Sequence, residues 1–183
     1  MNPWIRSLQR SRKSTVDHRT FSSRLVNPNL LVQRLSEKME ADAVYVADVG
    51  QNQLWSADNY VMKTDGSLPQ AAWVHGLLHP AAIGAKMCRP EAQVVAVCGD
   101  GSFQMSMYEL GTIAVNRLPL KILVVQNDFW GWCGSSQEKT YDGHYFGVQL
   151  YDYPRYDKIA EAYDMEYFPV TATKIWTRSW TGF

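Results

Sequence analysis

One glycine-rich turn and one asparagine carry the clearest chemistry in the sequence. Gly99-Asp100-Gly101 is followed, after one further helix and strand, by Asn127. Asp100 offers a carboxylate oxygen and Asn127 an amide oxygen, and Mg²⁺ prefers such oxygen ligands together with phosphate oxygens. The glycines let the backbone turn tightly and bring its amides close to an anion. The pattern predicts a site for a divalent metal and a phosphate, against the alternative of a plain strand-to-helix turn.

Three apolar, β-branched runs are expected to position these residues as buried strands. They occupy residues 43–49, 94–98 and 121–125. Strands that are apolar on both faces are typical of a parallel sheet covered by helices on both sides. Gly50, Gly99 and Asn127 follow the ends of these strands, at the edge where such sheets bind ligands. We therefore expect three loops to meet at one site.

Helical patterns alternate with the strands and complete the predicted fold. Asn27 is a helix cap and Pro28 suits the first turn of a helix that runs to Lys38. Further predicted helices cover residues 80–87, 105–115 and 156–163, and a fourth strand is predicted at 167–170. The helix from Met105 is expected to point its positive end at the phosphate. The fold class is α/β, a doubly wound, mostly parallel sheet with helices on both faces.

Composition indicates a soluble, globular protein and excludes several classes. The 183 residues suffice for one domain with a substantial core. Eighteen basic and eighteen acidic residues give no general argument for nucleic acid as a partner. No apolar run approaches the roughly 20 residues that span a bilayer. The three cysteines lack metal-type spacing, which favours a reducing compartment and a cytoplasmic location.

The amino end differs in composition from the remainder. Residues 1–24 contain six basic residues and a single acid, Asp17, with several serines. We interpret residues 1–26 as a basic linker, with an organelle-targeting segment as the alternative. Residues 27–183 are then the domain that carries the site.

The motifs resemble those of a known family. The segments in question are Asp48-Val49-Gly50-Gln51-Asn52-Gln53-Leu54-Trp55, Pro80-Ala81-Ala82-Ile83-Gly84-Ala85-Lys86 and Gly99-Asp100-Gly101-Ser102-Phe103. They resemble the carboxy-terminal domain of acetolactate synthase large subunits, and similar segments recur in the wider pyruvate oxidase and decarboxylase group. The resemblance covers about residues 27–170. It implies the thiamine-diphosphate-binding fold, in which the Gly-Asp-Gly to Asn pattern is the cofactor motif.

The resemblance also implies a set of site residues. Asp100 and Asn127 would ligate Mg²⁺ through their side chains, and Phe129 through its carbonyl. Contacts to thiamine diphosphate are implied for Gly50, Gln51, Asn52, His75, Gly99, Gly101, Ser102 and Gly131. Trp73 and His75 stand where the family has a glycine and a bulky apolar residue beside the aminopyrimidine. A tryptophan at position 73 could therefore block the pyrimidine pocket.

The activity implied by the resemblance is decarboxylation and carboligation of pyruvate or a related 2-keto acid, as in branched-chain amino acid biosynthesis. Residues 137–140 and 146–150 look closer to pyruvate oxidases, so an oxidase or decarboxylase domain is the alternative. The two groups differ in what accepts the fragment left by decarboxylation, a second 2-keto acid or a flavin. FAD occurs in the full-length family, and no site for it is expected in this chain.

No catalytic residue is assigned to this chain. In the family, the glutamate that activates the cofactor lies on a separate amino-terminal domain, usually of a neighbouring subunit. The chain is therefore expected to be inactive alone and to need a pyrimidine-binding domain from another chain, in a homo- or hetero-oligomer. Residues 175–183 do not resemble the family's continuation, so we expect a domain truncated at its carboxyl end. A non-catalytic remnant of such an enzyme is the remaining hypothesis.

Several other residues receive structural interpretations. His79 and His144 have no carboxylate or cysteine at ligand spacing and are predicted to be surface histidines. Cys98 ends an apolar strand and should pack as a small apolar residue. Glu109 is predicted to be structural. Trp130 and Trp132 line the substrate channel or pack in the core or in a dimer interface, and the sequence does not choose between these.

Overall fold

Four parallel strands form the centre of the computed structural model, which describes residues 25–63, 70–71, 74–151 and 154–171. The strands are β1 (Val44–Ala47), β2 (Gln70–Ala71), β3 (Val94–Gly99) and β4 (Lys121–Val125). Their order in the sheet is β2-β1-β3-β4, and every neighbouring pair is parallel. The register pairs Val44 with Val94 and Val95 with Lys121.

The strand order creates a crevice between β1 and β3. The chain leaves β1 toward β2 on one side and later crosses to β3 on the other side. Connections that leave adjacent strands in opposite directions open a gap at the carboxyl ends of those strands. The chain leaves β1 at Asp48 and β3 at Asp100, so both carboxylates lie at this edge.

Seven α-helices and one 3₁₀ turn are described around the sheet. They are α1 (Pro28–Lys38), α2 (Gln51–Asn59), α3 (Leu78–Cys88), α4 (Asp100–Met105), the 3₁₀ turn Met107–Glu109, α5 (Leu110–Val115), α6 (Gly131–Thr140) and α7 (Tyr156–Ala162). Asn27 caps α1 as predicted, because its Oδ1 accepts hydrogen bonds from the amides of Asn29 (3.0 Å) and Leu30 (3.3 Å). Pro28 takes the first helical position, where no amide donor is needed.

Two cores lie on opposite faces of the sheet. Val95 and Val97 of β3 pack with Leu31 and Leu35 of α1 on one face. Val94, Ala96 and Cys98 face the other core, which is built from α3, α4 and α5 and is extended by α7. This alternation means that β3 is apolar on both sides, as expected for a covered parallel strand. The predicted α/β fold with helices on both faces is confirmed.

One predicted helix is confirmed only over residues 110–115, and one predicted strand is wrong. The helix expected over 105–115 begins at Asp100, stops after Met105 and resumes at Leu110, because Ser106 has non-helical backbone angles and buries its hydroxyl against His79. Residues 167–170 form no strand; they run as irregular chain, with Tyr167 and Phe168 exposed.

Two helices and one strand were not predicted. The sequences of α2 and α6 are rich in polar residues and lack a clear apolar stripe, and β2 has only two residues. The expectations for the amino-terminal residues 1–24, for Trp73 and for residues 175–183 fall outside the described residues. Within the described ranges, no helix is long and apolar enough to cross a membrane.

Candidate functional site

A cleft at the carboxyl ends of β1, β3 and β4 brings together all of the site residues expected from the sequence. Its walls come from the loop and helix after each of these strands. The expected residues that line it are Gly50, Gln51, Asn52, His75, Gly99, Asp100, Gly101, Ser102, Asn127, Phe129 and Gly131. Residues from four separate stretches of chain therefore meet at one place.

Asp100 ties two walls of the cleft together. Its carboxylate is buried and accepts hydrogen bonds from the amides of Gly101 (2.9 Å), Asn127 (3.0 Å) and Asp128 (2.5 Å). Burial raises the pKa of Asp100, the three amides oppose this rise, and the nearby charge of Asp128 adds to it. A cation beside this carboxylate would therefore stabilise its ionised form.

Asn127 presents an amide at the end of β4. Its Oδ1 accepts a hydrogen bond from the amide of Phe129 (3.1 Å), and its Nδ2 donates to Oε1 of Gln51 (3.3 Å). Phe129 itself pairs with Gln149 in an isolated antiparallel bridge. The bridge is made by the amide of Trp130 and the carbonyl of Asp128, so the Phe129 carbonyl is not used by it.

The donor set suits Mg²⁺ better than a softer metal. Asp100 supplies a carboxylate oxygen, Asn127 an amide oxygen and Phe129 a backbone carbonyl. The described residues contain no group of three or more histidine, cysteine, aspartate or glutamate side chains that could hold a metal. A metal in this cleft would therefore depend on one carboxylate, neutral oxygens and ligand phosphate, which is the usual environment of Mg²⁺. The residues present fit the ion.

The turn after β1 offers amides to an anion. Gly50 has φ of 134°, and a Cβ there would lie 2.8 Å from Oδ1 of Asn52, so only glycine fits without strain. Helix α2 follows directly and has no side-chain cap. The amide of Gln53 donates to the Gly50 carbonyl (3.0 Å), so the amides of Gln51 and Asn52 are the ones that would face a phosphate group.

Asn52 clamps the crevice at its base. Its buried Nδ2 donates to the carbonyls of Asp48 (2.9 Å) and Val97 (3.2 Å). The two carbonyls belong to the chain at the ends of β1 and β3, so one side chain fixes the spacing between these strands. The sequence interpretation of Asn52 as a cofactor contact did not anticipate this role.

The second anion-facing turn differs from the expected helix geometry. Because α4 begins at Asp100, Gly101 and Ser102 lie in its first turn, whereas the sequence placed the helix start near Met105. Both residues are buried, and the Ser102 hydroxyl donates to the carbonyl of Gly99 (3.4 Å). The first turn after β3 is therefore what faces the cleft.

Asp48 supports a wall of the cleft from behind, a role that the sequence reasoning missed. It is fully buried, and it accepts hydrogen bonds from the amides of Val49 (2.8 Å) and Gly76 (3.1 Å). Burial raises its pKa, and these amide hydrogen bonds and the charge of His75 oppose the rise. The Gly76 bond holds the loop that carries His75 against the cleft. The available signal was an aspartate placed directly before Val49-Gly50 at the end of a strand.

Aromatic rings close the mouth of the cleft. Trp130 and Trp132 both line it, so neither ring is confined to the core of the described residues. The His75 ring meets the Trp130 ring edge-on, with 5.7 Å between the ring centroids. A Cβ at Gly101 would lie 2.7 Å from the Trp130 ring, so this ring sits directly on Gly101.

His79 is not the surface histidine that was expected. It is fully buried beside Phe103, its Nδ1 is 2.6 Å from the Ser106 hydroxyl, and its Nε2 has no partner among the described residues. Burial lowers the pKa of His79 to about 4, and the charge of Glu109 partly offsets this. The surface position predicted for His144 is confirmed, since this residue is exposed, and the packed position predicted for Cys98 is confirmed, since it is buried.

Comparison with known protein families finds one match that covers most of the chain. The family described as "Thiamine pyrophosphate enzyme, C-terminal TPP binding domain" matches residues 48–177. The match includes every expected site residue, from Gly50 to Gly131.

Curated relatives agree with this match. The acetolactate synthase large subunit of Porphyra purpurea is 37% identical over 137 residues, which are 74% of this chain and 23% of the relative. The isozyme 2 large subunit of Escherichia coli K12 is 35% identical over 136 residues, which are 73% and 25% of the two chains. The acetolactate synthase of Mycobacterium leprae is 34% identical over 169 residues, 88% and 27%. The chain thus spans about a quarter of the length of these relatives.

Proposed function

Because the chain belongs to the thiamine pyrophosphate enzymes and contains their C-terminal TPP-binding domain, we propose that its cleft binds the cofactor through one Mg²⁺ ion. Asp100, Asn127 and the carbonyl of Phe129 are the proposed ligands of this ion. The observation that supports the proposal is the convergence of oxygen donors and two amide-rich turns in one cleft. The proposed domain is residues 27–183, with residues 1–26 as a linker.

Each part of the cleft has a separate task in this proposal. The Asp100 carboxylate neutralises part of the metal charge, and its burial makes that interaction stronger. The amides after Gly50 and the amide of Ser102 receive the diphosphate oxygens, while the Gly101 amide stays bonded to the Asp100 carboxylate. Gln51, Asn52, His75, Gly99 and Gly131 complete the surface around the cofactor. When bound, the cofactor supplies the electron sink for decarboxylation of a 2-keto acid.

Binding should depend on the charge of Asp100. We expect Asp100→Asn to weaken binding of thiamine pyrophosphate with Mg²⁺ by more than about 100-fold, since loss of a residue that only orients a metal ligand already costs 10–100-fold. Titration calorimetry on the full chain measures this. Asp164→Asn is the matched control, because Asp164 is exposed and does not line the cleft. Equal affinity of Asp100→Asn and the control would rule out Asp100 as the metal ligand.

For the whole protein, we propose an acetolactate synthase-like activity on pyruvate or a related 2-keto acid. The support is the naming of the relatives as acetolactate synthases, which match over most of this chain. The proposed partner is a pyrimidine-binding domain from another chain, which brings the activating glutamate and makes the active species an oligomer.

Turnover should therefore require two components. With pyruvate, thiamine pyrophosphate and Mg²⁺ present, we expect carbon dioxide release only when the chain is mixed with a separately purified pyrimidine-binding domain. Asp100→Asn in the same mixture should release none. If the complete mixture is silent although the chain binds cofactor, the chain is a binding domain without the proposed activity.

A further inference from the structure

We propose that Trp130 is a plug that occupies the diphosphate region of the cleft above Gly101 and thereby sets the affinity for the cofactor. This inference rests on the proposed function, because it concerns the same cleft. It assigns to Trp130 a role in controlling access, which is distinct from the contacts proposed for the surrounding residues.

The contact between Trp130 and Gly101 leaves no room for a ligand atom directly on Gly101. A Cβ built on Gly101 would lie 2.7 to 2.8 Å from three atoms of the six-membered ring of Trp130, well inside van der Waals contact. The ring therefore rests on a backbone position of the cleft where the absence of a side chain would let a phosphate approach closely. A diphosphate oxygen and this ring cannot occupy the space above Gly101 together.

The polar groups near Trp130 form hydrogen bonds with each other while the ring rests on Gly101. Gln51 reaches across from α2 to α6, where its Oε1 would be 2.1 Å from a Cβ on Gly131. The same oxygen accepts a hydrogen bond from Asn127, whose own Oδ1 is taken by the amide of Phe129. Gln51 and Asn127 are thus joined by a hydrogen bond. The side chain of Asn127, a proposed metal ligand, is bonded within the protein in this conformation.

The Trp130 side chain can rotate away from Gly101. Trp130 is only partly buried, and it immediately precedes α6, so its side chain can swing without unfolding the helix. His75, the ring on its other side, is exposed at the mouth of the cleft. The described structure is then the closed form, and the cofactor binds the form in which the ring has moved away.

A closed form lowers the apparent affinity by the fraction of molecules that are open. If that fraction is about one tenth, a side chain too short to reach Gly101 should tighten binding about tenfold. The test compares wild type with Trp130→Leu by titration calorimetry, using Mg²⁺ with thiamine pyrophosphate and, separately, Mg²⁺ with inorganic pyrophosphate. Pyrophosphate has no ring and reports on the diphosphate region alone. Tyr141→Leu is the control, since Tyr141 is an exposed aromatic residue at the other end of α6.

Tryptophan emission gives a second readout that does not depend on affinity. Movement of Trp130 into water should shift the wild-type emission to longer wavelength when Mg²⁺-pyrophosphate binds, and Trp130→Leu should lack that component. If Trp130→Leu does not fold, Trp130→Phe provides the same comparison with a shorter ring.

The outcomes separate this inference from the proposed function. Tighter binding by the Trp130 variant, or binding by the variant alone, supports the plug. Equal or weaker binding by the variant, with wild type binding normally, overturns the plug and leaves the proposed function in place. If neither protein binds thiamine pyrophosphate while both are folded, the proposed function fails and the plug fails with it.

Discussion

At the scale of single residues, the buried ionisable groups differ in how their charge is compensated. Burial raises the pKa of Asp100 and of Asp48. The backbone amide hydrogen bonds that each carboxylate accepts stabilise its charged form and oppose this rise. His79 has one hydroxyl partner and an Nε2 without a partner among the described residues. A charge on His79 would therefore be poorly compensated, and this residue should limit stability in acid.

Stability should fall below pH 6.5 because of His79. Its pKa is about 4 in the folded protein and 6.5 in the unfolded chain, so the unfolded state binds the proton first. The stabilising effect is complete above pH 6.5 and is lost as the pH falls toward 4, which amounts to about 2 kcal/mol between pH 7 and pH 5. Denaturant unfolding of wild type and His79→Leu at both pH values measures it.

His79→Leu should lose about 2 kcal/mol less than wild type over that interval. At pH 7 the variant should be less stable by about 1–3 kcal/mol, because the buried Ser106 hydroxyl loses its partner. His144→Leu is the control, because His144 is exposed and should leave the wild-type pH profile unchanged. Parallel profiles for wild type and His79→Leu would contradict the buried, neutral histidine.

At the scale of elements, the glycines within helices have two different roles. Gly84 lies on the exposed side of α3, and a Cβ there would meet nothing within 4 Å. Gly134 lies buried in α6, and a Cβ there would be 2.0 Å from the ring of Phe129. The first glycine is replaceable. The second allows α6 to approach the loop that carries the proposed metal ligands.

The two glycines should respond oppositely to alanine. Gly84→Ala should stabilise the protein by roughly 0.5–1 kcal/mol, since alanine is the better helix former. Gly134→Ala should destabilise it by roughly 1–2 kcal/mol net, because overpacking against Phe129 outweighs the same gain in helix propensity. Chemical denaturation of the matched pair gives both values. A stabilising Gly134→Ala would mean that α6 does not pack on Phe129 as described.

The sequence could predict those elements whose apolar pattern defines them. Strands β3 and β4 follow from apolar runs that pack on both faces, and the cleft follows from the loops at their carboxyl ends. Helix α6 has a polar sequence with almost no apolar stripe, so only its tertiary contacts define it. The break at Ser106 depends on the hydroxyl contact with His79, which lies 27 positions away in the chain. The contact of Trp130 with Gly101 likewise exists only once β3 and β4 are adjacent.

At the scale of the whole molecule, hydrogen bonds connect the walls of the cleft to the ends of the sheet strands. Asn52 joins the ends of β1 and β3, and Asp100 joins the turn after β3 to the loop after β4. A ligand held by both loops therefore makes interactions that the unfolded chain cannot make. Binding of the cofactor and its metal should consequently stabilise the folded state as a whole.

The most direct test of the central claim is the free energy of unfolding with thiamine pyrophosphate and Mg²⁺ added together and separately. We expect stabilisation of roughly 2.7 kcal/mol when the cofactor with its metal is present at 100 times its dissociation constant. Either component alone, or both with excess chelator, should give much less, because the diphosphate and the Asp100 carboxylate are joined only through the ion. An unfolding free energy that does not change at millimolar cofactor and Mg²⁺, in a sample that unfolds cooperatively, would contradict the account.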